Sequence, residues 1–188
     1  MLDVAIEFLK GELNTFLLTR TNSDAVAVKL SKVVDETGKY AIVEEIAVSV
    51  INVEEERIVK SHLPDYQYVG GQHRILEPPL KLNLYLLFAA NFKLYDQALK
   101  YISYLLSYFQ THPSFNANEY PALDPRIEKL VVELQSLTYE QLNQVWAYVG
   151  GKYLPSVIYK VRMVILQDET AVAIQPPLNK LQTNLHSL

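Results

Sequence analysis

The chain contains no cysteine, so neither a disulfide nor a thiolate metal ligand can help hold it together. That suits a reducing compartment. It also lacks any uncharged apolar stretch near the ~20 residues that a bilayer span requires. Its first ten residues have no basic n-region and are interrupted by Asp3, Glu7 and Lys10, which argues against a secretory leader. Basic side chains are scattered singly and the formal net charge is −4, leaving no electrostatic footprint for nucleic acid. Glycine is scarce. The pairs Gly70-Gly71 and Gly150-Gly151 fit neither GxGxxG nor GxxxxGK[ST], so no phosphate cradle is expected. Ser156 follows Pro155 without a GxSxG frame. The histidines at 62, 73, 112 and 186 stand alone, with none at ligand spacing from another. Glu54-Glu55-Glu56 would alternate across a strand and reads as a solvated strand end. Neither metal, cofactor, catalytic group, small-molecule substrate nor membrane is expected.

What is present is ordinary globular material, 49% apolar and 20% charged. A chain this long buries roughly 70% of its unfolded surface. Tyrosine is abundant, at 13 residues, and is enriched both in cores and at protein interfaces.

Apolar positions at helical spacing (Leu2, Ala5, Ile6, Leu9, Leu13, Phe16, Leu17) predict an amphipathic helix over 2–20. Residues 25–34 alternate as a half-buried strand, and Asp35–Lys39 is a turn in which Gly38 can take positive φ. Residues 40–60 hold one or two strands. Residues 61–79, with Pro64, Gly70-Gly71 and Pro78-Pro79, read as a long loop, and Leu82 to Phe88 as a strand. The clearest helix is 94–110, with Tyr95, Ala98, Leu99, Ile102, Leu105, Leu106 and Phe109 on its core face. A second stripe of Leu94, Tyr101, Tyr104 and Tyr108 lies roughly 120° around it and needs another surface, internal or from a partner. Residues 114–125 form an irregular link and 127–135 a strand. Thr138 with Gln141 and Leu137 with Leu142 mark a short capped helix ending at Gly150. Residues 156–166 alternate as a strand. The order predicts an α+β fold, a mostly antiparallel or mixed sheet with helices packed on one side. Residues 1–169 form one domain, and 170–188 an extended C-terminal arm.

The run Trp146-Ala-Tyr-Val-Gly-Gly-Lys-Tyr-Leu-Pro-Ser-Val-Ile-Tyr-Lys-Val-Arg-Met-Val164 resembles the cap, or tail-terminator, family of phage-tail-like contractile injection systems, the virulence-cassette and antifeeding-prophage type. The N-terminal helix, Val50 to Glu56, and Pro78 to Leu87 followed by a helix and Pro113 agree in order. The resemblance implies a structural, non-enzymatic subunit that closes the baseplate-distal end of the tail as a hexameric ring on tube and sheath. It implies assembly in the cytoplasm and no cofactor. Its partners would be further copies of itself and tube and sheath subunits. Tyr153, Tyr159 and Arg162 enter as subunit-interface candidates through the resemblance. Tyr101, Tyr104 and Tyr108 of the second stripe, and Gln175, Pro176 and Pro177 of the arm, complete that set. Two other classes stay open: an assembly adaptor or chaperone absent from the finished particle, and an enzyme built around the 61–79 loop and His73.

Overall fold

The computed structural model describes residues 1–56, 65–69, 72–76, 80–166 and 173–175. The elements in chain order are α1 (Leu2–Thr21), β1 (Val28–Leu30), β2 (Glu45–Glu55), β3 (Asp65–Val69), β4 (Gln72–Leu76), β5 (Leu80–Asn91), α2 (Tyr95–Thr111), β6 (Ser114–Asn116), β7 (Lys129–Gln135), α3 (Tyr139–Val149), β8 (Ser156–Leu166) and β9 (Ala173–Gln175). The main sheet runs β1-β2-β5-β8-β7-β6. β1 lies parallel to β2 and the other neighbours are antiparallel, so the sheet is mixed and the fold is α+β.

The core is split by this sheet. On one side Ile46, Val48, Leu84, Leu86, Phe88, Tyr159 and Val161 meet α1 and α2. The α1 stripe buries Ala5, Ile6, Leu9, Leu13 and Leu17, with Phe8 added. Asn14 ties α1 to β1 like an extra strand. Its Nδ2 donates to Val28 O (3.1 Å) and its Oδ1 accepts from Val28 N (2.7 Å). On the other side Ala47, Leu87, Ala89 and Ile158 meet Trp146 of α3, with Val33 and Ile42 beside them. Thus α1 and α2 share one face as expected, while α3 covers the opposite one. Strand alternation makes this possible, because adjacent residues such as Ile46 and Ala47 are both buried, on different faces.

Register breaks after Val50. Val50 pairs with Leu86 but Asn52 with Tyr85, so Ile51 is an extra residue. Such a bulge exchanges the faces of everything beyond it. Asn52 and Glu54 therefore stand on the α3 side.

Several expectations change. The 61–79 segment is not a structureless loop: β3 and β4 pair antiparallel from Asp65↔Leu76 to Val69↔Gln72. Gly70-Gly71 between them is a two-residue hairpin signal hidden among the prolines. β9 pairs with β4 (His73↔Gln175), so part of the 170–188 arm is a strand of a small three-stranded sheet. The rest of that arm lies outside the described residues. The 25–34 strand shrinks to Val28–Leu30 plus a Val34↔Tyr40 bridge around the Asp35 turn. Gly38 takes φ 80 there, and Asp35 Oδ1 accepts from the Thr37 and Lys39 amides. The 114–125 link begins with β6, too short to show a period. In α2, Ala98, Ile102, Leu105 and Phe109 are buried, but Tyr95 and Leu99, expected in the core, are exposed.

Candidate partner-binding surface

α3 is set by local rules. Thr138 N donates to Gln141 Oε1 (3.0 Å) and Gln141 N donates to Thr138 Oγ1 (3.3 Å), closing the capping box. Gly150 ends it at φ 80. Gly151 then passes so close to the 33–42 segment that a Cβ on it would lie 2.8 Å from Val34 Cγ2. Trp146 is the buried residue of α3, so one large side chain anchors the helix to the sheet. The side of α3 facing the bulge is more open. Gln141, Gln144, Val145 and Tyr148, with Leu137, overhang Ile51, Asn52, Glu54, Tyr85 and Ile158 to form a groove of about 430 Å³. Tyr148 is 81% exposed at its rim, and Tyr139 stands 94% exposed at the start of the same helix.

From the floor of the groove outward the sheet face is polar. The Tyr85 hydroxyl donates to Glu54 Oε2 (2.8 Å), and Lys160 Nζ lies 3.9 Å from that same oxygen and 5.4 Å from the Tyr85 ring centre. Burial, reinforced by Glu54, pushes the Tyr85 hydroxyl up from its ordinary pKa. Arg162 grips Glu133 with two nitrogens, Nε to Oε2 at 3.0 Å and Nη2 to Oε1. That hydrogen-bonded pairing holds the guanidinium pKa above its usual value. Asn83, 2% exposed, donates from Nδ2 to Glu56 Oε2 (3.0 Å), and its Oδ1 has no hydrogen-bond partner among the described residues. Glu54 and Glu56 are thus engaged in cross-strand polar contacts. Among the described residues no group of three His, Asp or Glu side chains is placed to hold a metal.

The interface candidates fall in different places. Tyr108 and Tyr159 are 4% and 3% exposed. Tyr108 donates to Glu12 Oε2 (3.2 Å) across the α1–α2 contact, and burial drives its hydroxyl pKa well up. Tyr159 packs edge-on to Phe88 at 6.0 Å and beside Phe109 at 4.7 Å; burial takes it to about 12. Tyr101 and Tyr104 are half-buried. Tyr101 stacks on Phe92 (5.0 Å), and Tyr104 lies under Arg20 and Lys100. The second α2 stripe therefore turns mainly toward α1. Tyr153 is 56% exposed and edges onto Trp146 at 5.6 Å, beside α3. Arg162 is exposed on the polar face. Gln175 sits in β9, while Pro176 and Pro177 lie outside the described residues. The residues described as lining the groove include none of Tyr101, Tyr104, Tyr108, Tyr153, Tyr159 and Arg162. Sequence reasoning had located α3 through its cap but missed that Gln141, Gln144 and Tyr148, at i, i+3 and i+7, form one side of it.

The fold is shared with tail-terminating proteins of contractile injection systems. One is the sheath/tube terminator of the extracellular contractile injection system PVC in its extended state, at a TM-score of 0.64 and 11% identity, covering 94% of this chain and 62% of that one. Another is the anti-feeding prophage cap, the AFP tube-terminating cap, at 0.60 and 15% identity, covering 94% and 60%. The chain belongs to the Pvc16 N-terminal domain family, whose sequence pattern matches residues 5–180. It spans about three fifths of the length of the two terminators. No curated protein matches it.

Proposed function

We propose that the chain is a structural cap that terminates the tube and sheath of a contractile injection system, at the end distal to the baseplate, as a hexameric ring. The observation carrying this is family membership over residues 5–180 together with a fold shared, over 94% of the chain, with two tail terminators. The surface supports a binding role without catalysis. Its open groove is rimmed by the exposed Tyr148 and by Gln141 and Gln144, and the charged groups beside it hold one another. Large aromatics at an accessible rim are favoured material for protein contacts. The α3 groove with Tyr148 and Tyr153 is the surface offered to a tube or sheath subunit, and Gln175, Pro176 and Pro177 of the C-terminal arm would add contacts to a neighbour. Assembly takes place in the cytoplasm, on a particle that can later be released.

Quantitative mass spectrometry of purified particles tests this. A cap stays at a low, fixed ratio to sheath, and particles from a deletion strain have uneven or unstable sheaths. Absence of the chain from particles of normal length would favour the adaptor role instead.

A further inference from the structure

β2 outruns the strand beside it. β1 pairs with it only from Val28↔Ile46 to Leu30↔Val48, and the Ser31 amide donates to Val48 O (3.2 Å) at the end of that ladder. From Val50 to Glu55, no strand pairs with this side of β2 among the described residues. The Glu56 amide donates to Lys81 O (2.8 Å). By the alternation of an antiparallel ladder, Asn52 and Glu54 then bond to β5, while Val53 and Glu55 turn their N–H and C=O away from it. Val50 also turns outward, because Val48, two residues before it, bonds to β1. The side chains of Val50 and Val53 are 41% and 44% exposed. The run Ile46 to Val53 contains no charge, proline or glycine. A strand edge of this composition is a template for pairing with another chain.

Three local features oppose that pairing. Asn52 Oδ1 accepts from the Val53 amide (2.9 Å), so a donor that an incoming strand would need is already used. Asn52 Nδ2 donates to Glu54 Oε1 (3.3 Å), which fixes the side chain in that orientation. Both bonds run to near neighbours in sequence, so they fasten no distant element and act only on the edge. The extra residue Ile51 breaks the even spacing of the outward groups. Glu54-Glu55-Glu56 follows directly, and charges flanking an apolar strand discourage edge-to-edge association. Further along the same border Asn14 takes both outward groups of Val28. Side-chain amides therefore stand in for a neighbouring strand at both ends of it.

We propose that the β1/β2 border of the main sheet is built to refuse a further strand, with Asn52 and the Ile51 bulge as the device. A partner then meets this part of the chain through side chains and not by extending the sheet. The proposal concerns the free chain and stands or falls independently of the cap reading.

Asn52→Val tests it on the free chain. In dilute solution the Val53 amide should exchange with deuterium several-fold faster than in the wild type, the effect of losing one side-chain hydrogen bond. As concentration rises, sedimentation velocity should show the variant passing into larger species while the wild type keeps its own distribution. Adding Val50→Lys, a charge on the same edge, should restore the wild-type distribution. If far-UV circular dichroism shows Asn52→Val unfolded, Asn52→Thr takes its place. Unchanged exchange at Val53, or a folded variant that sediments as the wild type does at every concentration, overturns the proposal. So does new protection of the Val50 amide when wild-type chains assemble, because a strand has then been added at this edge.

Discussion

Replacing Trp146 by alanine should unfasten α3 from the sheet. The indole is 4% exposed and rests on Ala47, Leu87, Ala89 and Ile158, with Tyr153 edge-on at 5.6 Å. Leu142, Val145 and Val149 around it are only partly buried, so no other side chain of α3 can take over its contacts. A Trp→Ala change at such a site removes about 3–5 kcal/mol. Set against a total stability of roughly 5–15 kcal/mol, that is a large fraction. For a chain of this length it corresponds to a fall of roughly 10 °C in Tm. Trp146→Phe separates packing from polarity. The indole Nε1 is buried with no hydrogen-bond partner among the described residues, so phenylalanine removes an unsatisfied donor together with part of the ring. Its expected cost is smaller, about 1–2 kcal/mol, since the unmade hydrogen bond offsets lost contact area. Urea unfolding followed by far-UV circular dichroism gives both values. Hydrogen exchange should show the loss of protection in Trp146→Ala concentrated in 139–149. Equal destabilisation by the two substitutions would mean that the indole N–H is satisfied in solution. A cost below about 1 kcal/mol for alanine would refute the anchoring role itself, since that lies outside the range for a filled core site.

Two glycines should respond in opposite directions. Gly11→Ala should raise the stability of the free chain by about 1 kcal/mol, because the helix gains propensity and the methyl meets open space. Gly151→Ala should lower it, because its Cβ would press on Val34 Cγ2 at 2.8 Å, and thermal melts of the pair read both signs. Asp124 accepts from the Arg126 amide (2.9 Å), Nε (3.0 Å) and Nη2 (2.8 Å), and the Arg126 side-chain bonds hold its pKa at about 2, below the usual 3.8. A depressed carboxyl pKa stabilises the fold above the unfolded value, and that contribution is lost as pH falls from about 3.8 to about 2. Asp124→Asn should flatten the acid limb of stability in that window, and carboxyl NMR titration should place the midpoint near the lower value.

Where a local signal sufficed, the chain could be read directly. The α1 stripe, the α3 capping box, Gly38 and Gly150 at positive φ, and the alternation of β8 each depend on residues a few positions apart. Local steric and hydrogen-bonding rules decide them wherever they sit in the fold. The β3–β4 hairpin and β6 were not legible. Prolines masked the first, and the second is held by β7, not by any pattern of its own. Long-range packing also decided which face α3 covers, because alternation specifies two sides of a strand but not which helix claims each. The bulge at Ile51 moved Glu54 into the polar network beside Tyr85, and only the pairing partner reveals a one-residue shift of register. Likewise Tyr108 and Tyr159 are core residues and Tyr148 an exposed one, although all three are tyrosines on regular elements. The sequence by itself determined the helices, the turns and the kinship with tail terminators. The tertiary structure decided which side chains remain on the outside for a partner, because exposure depends on what distant segments have already covered.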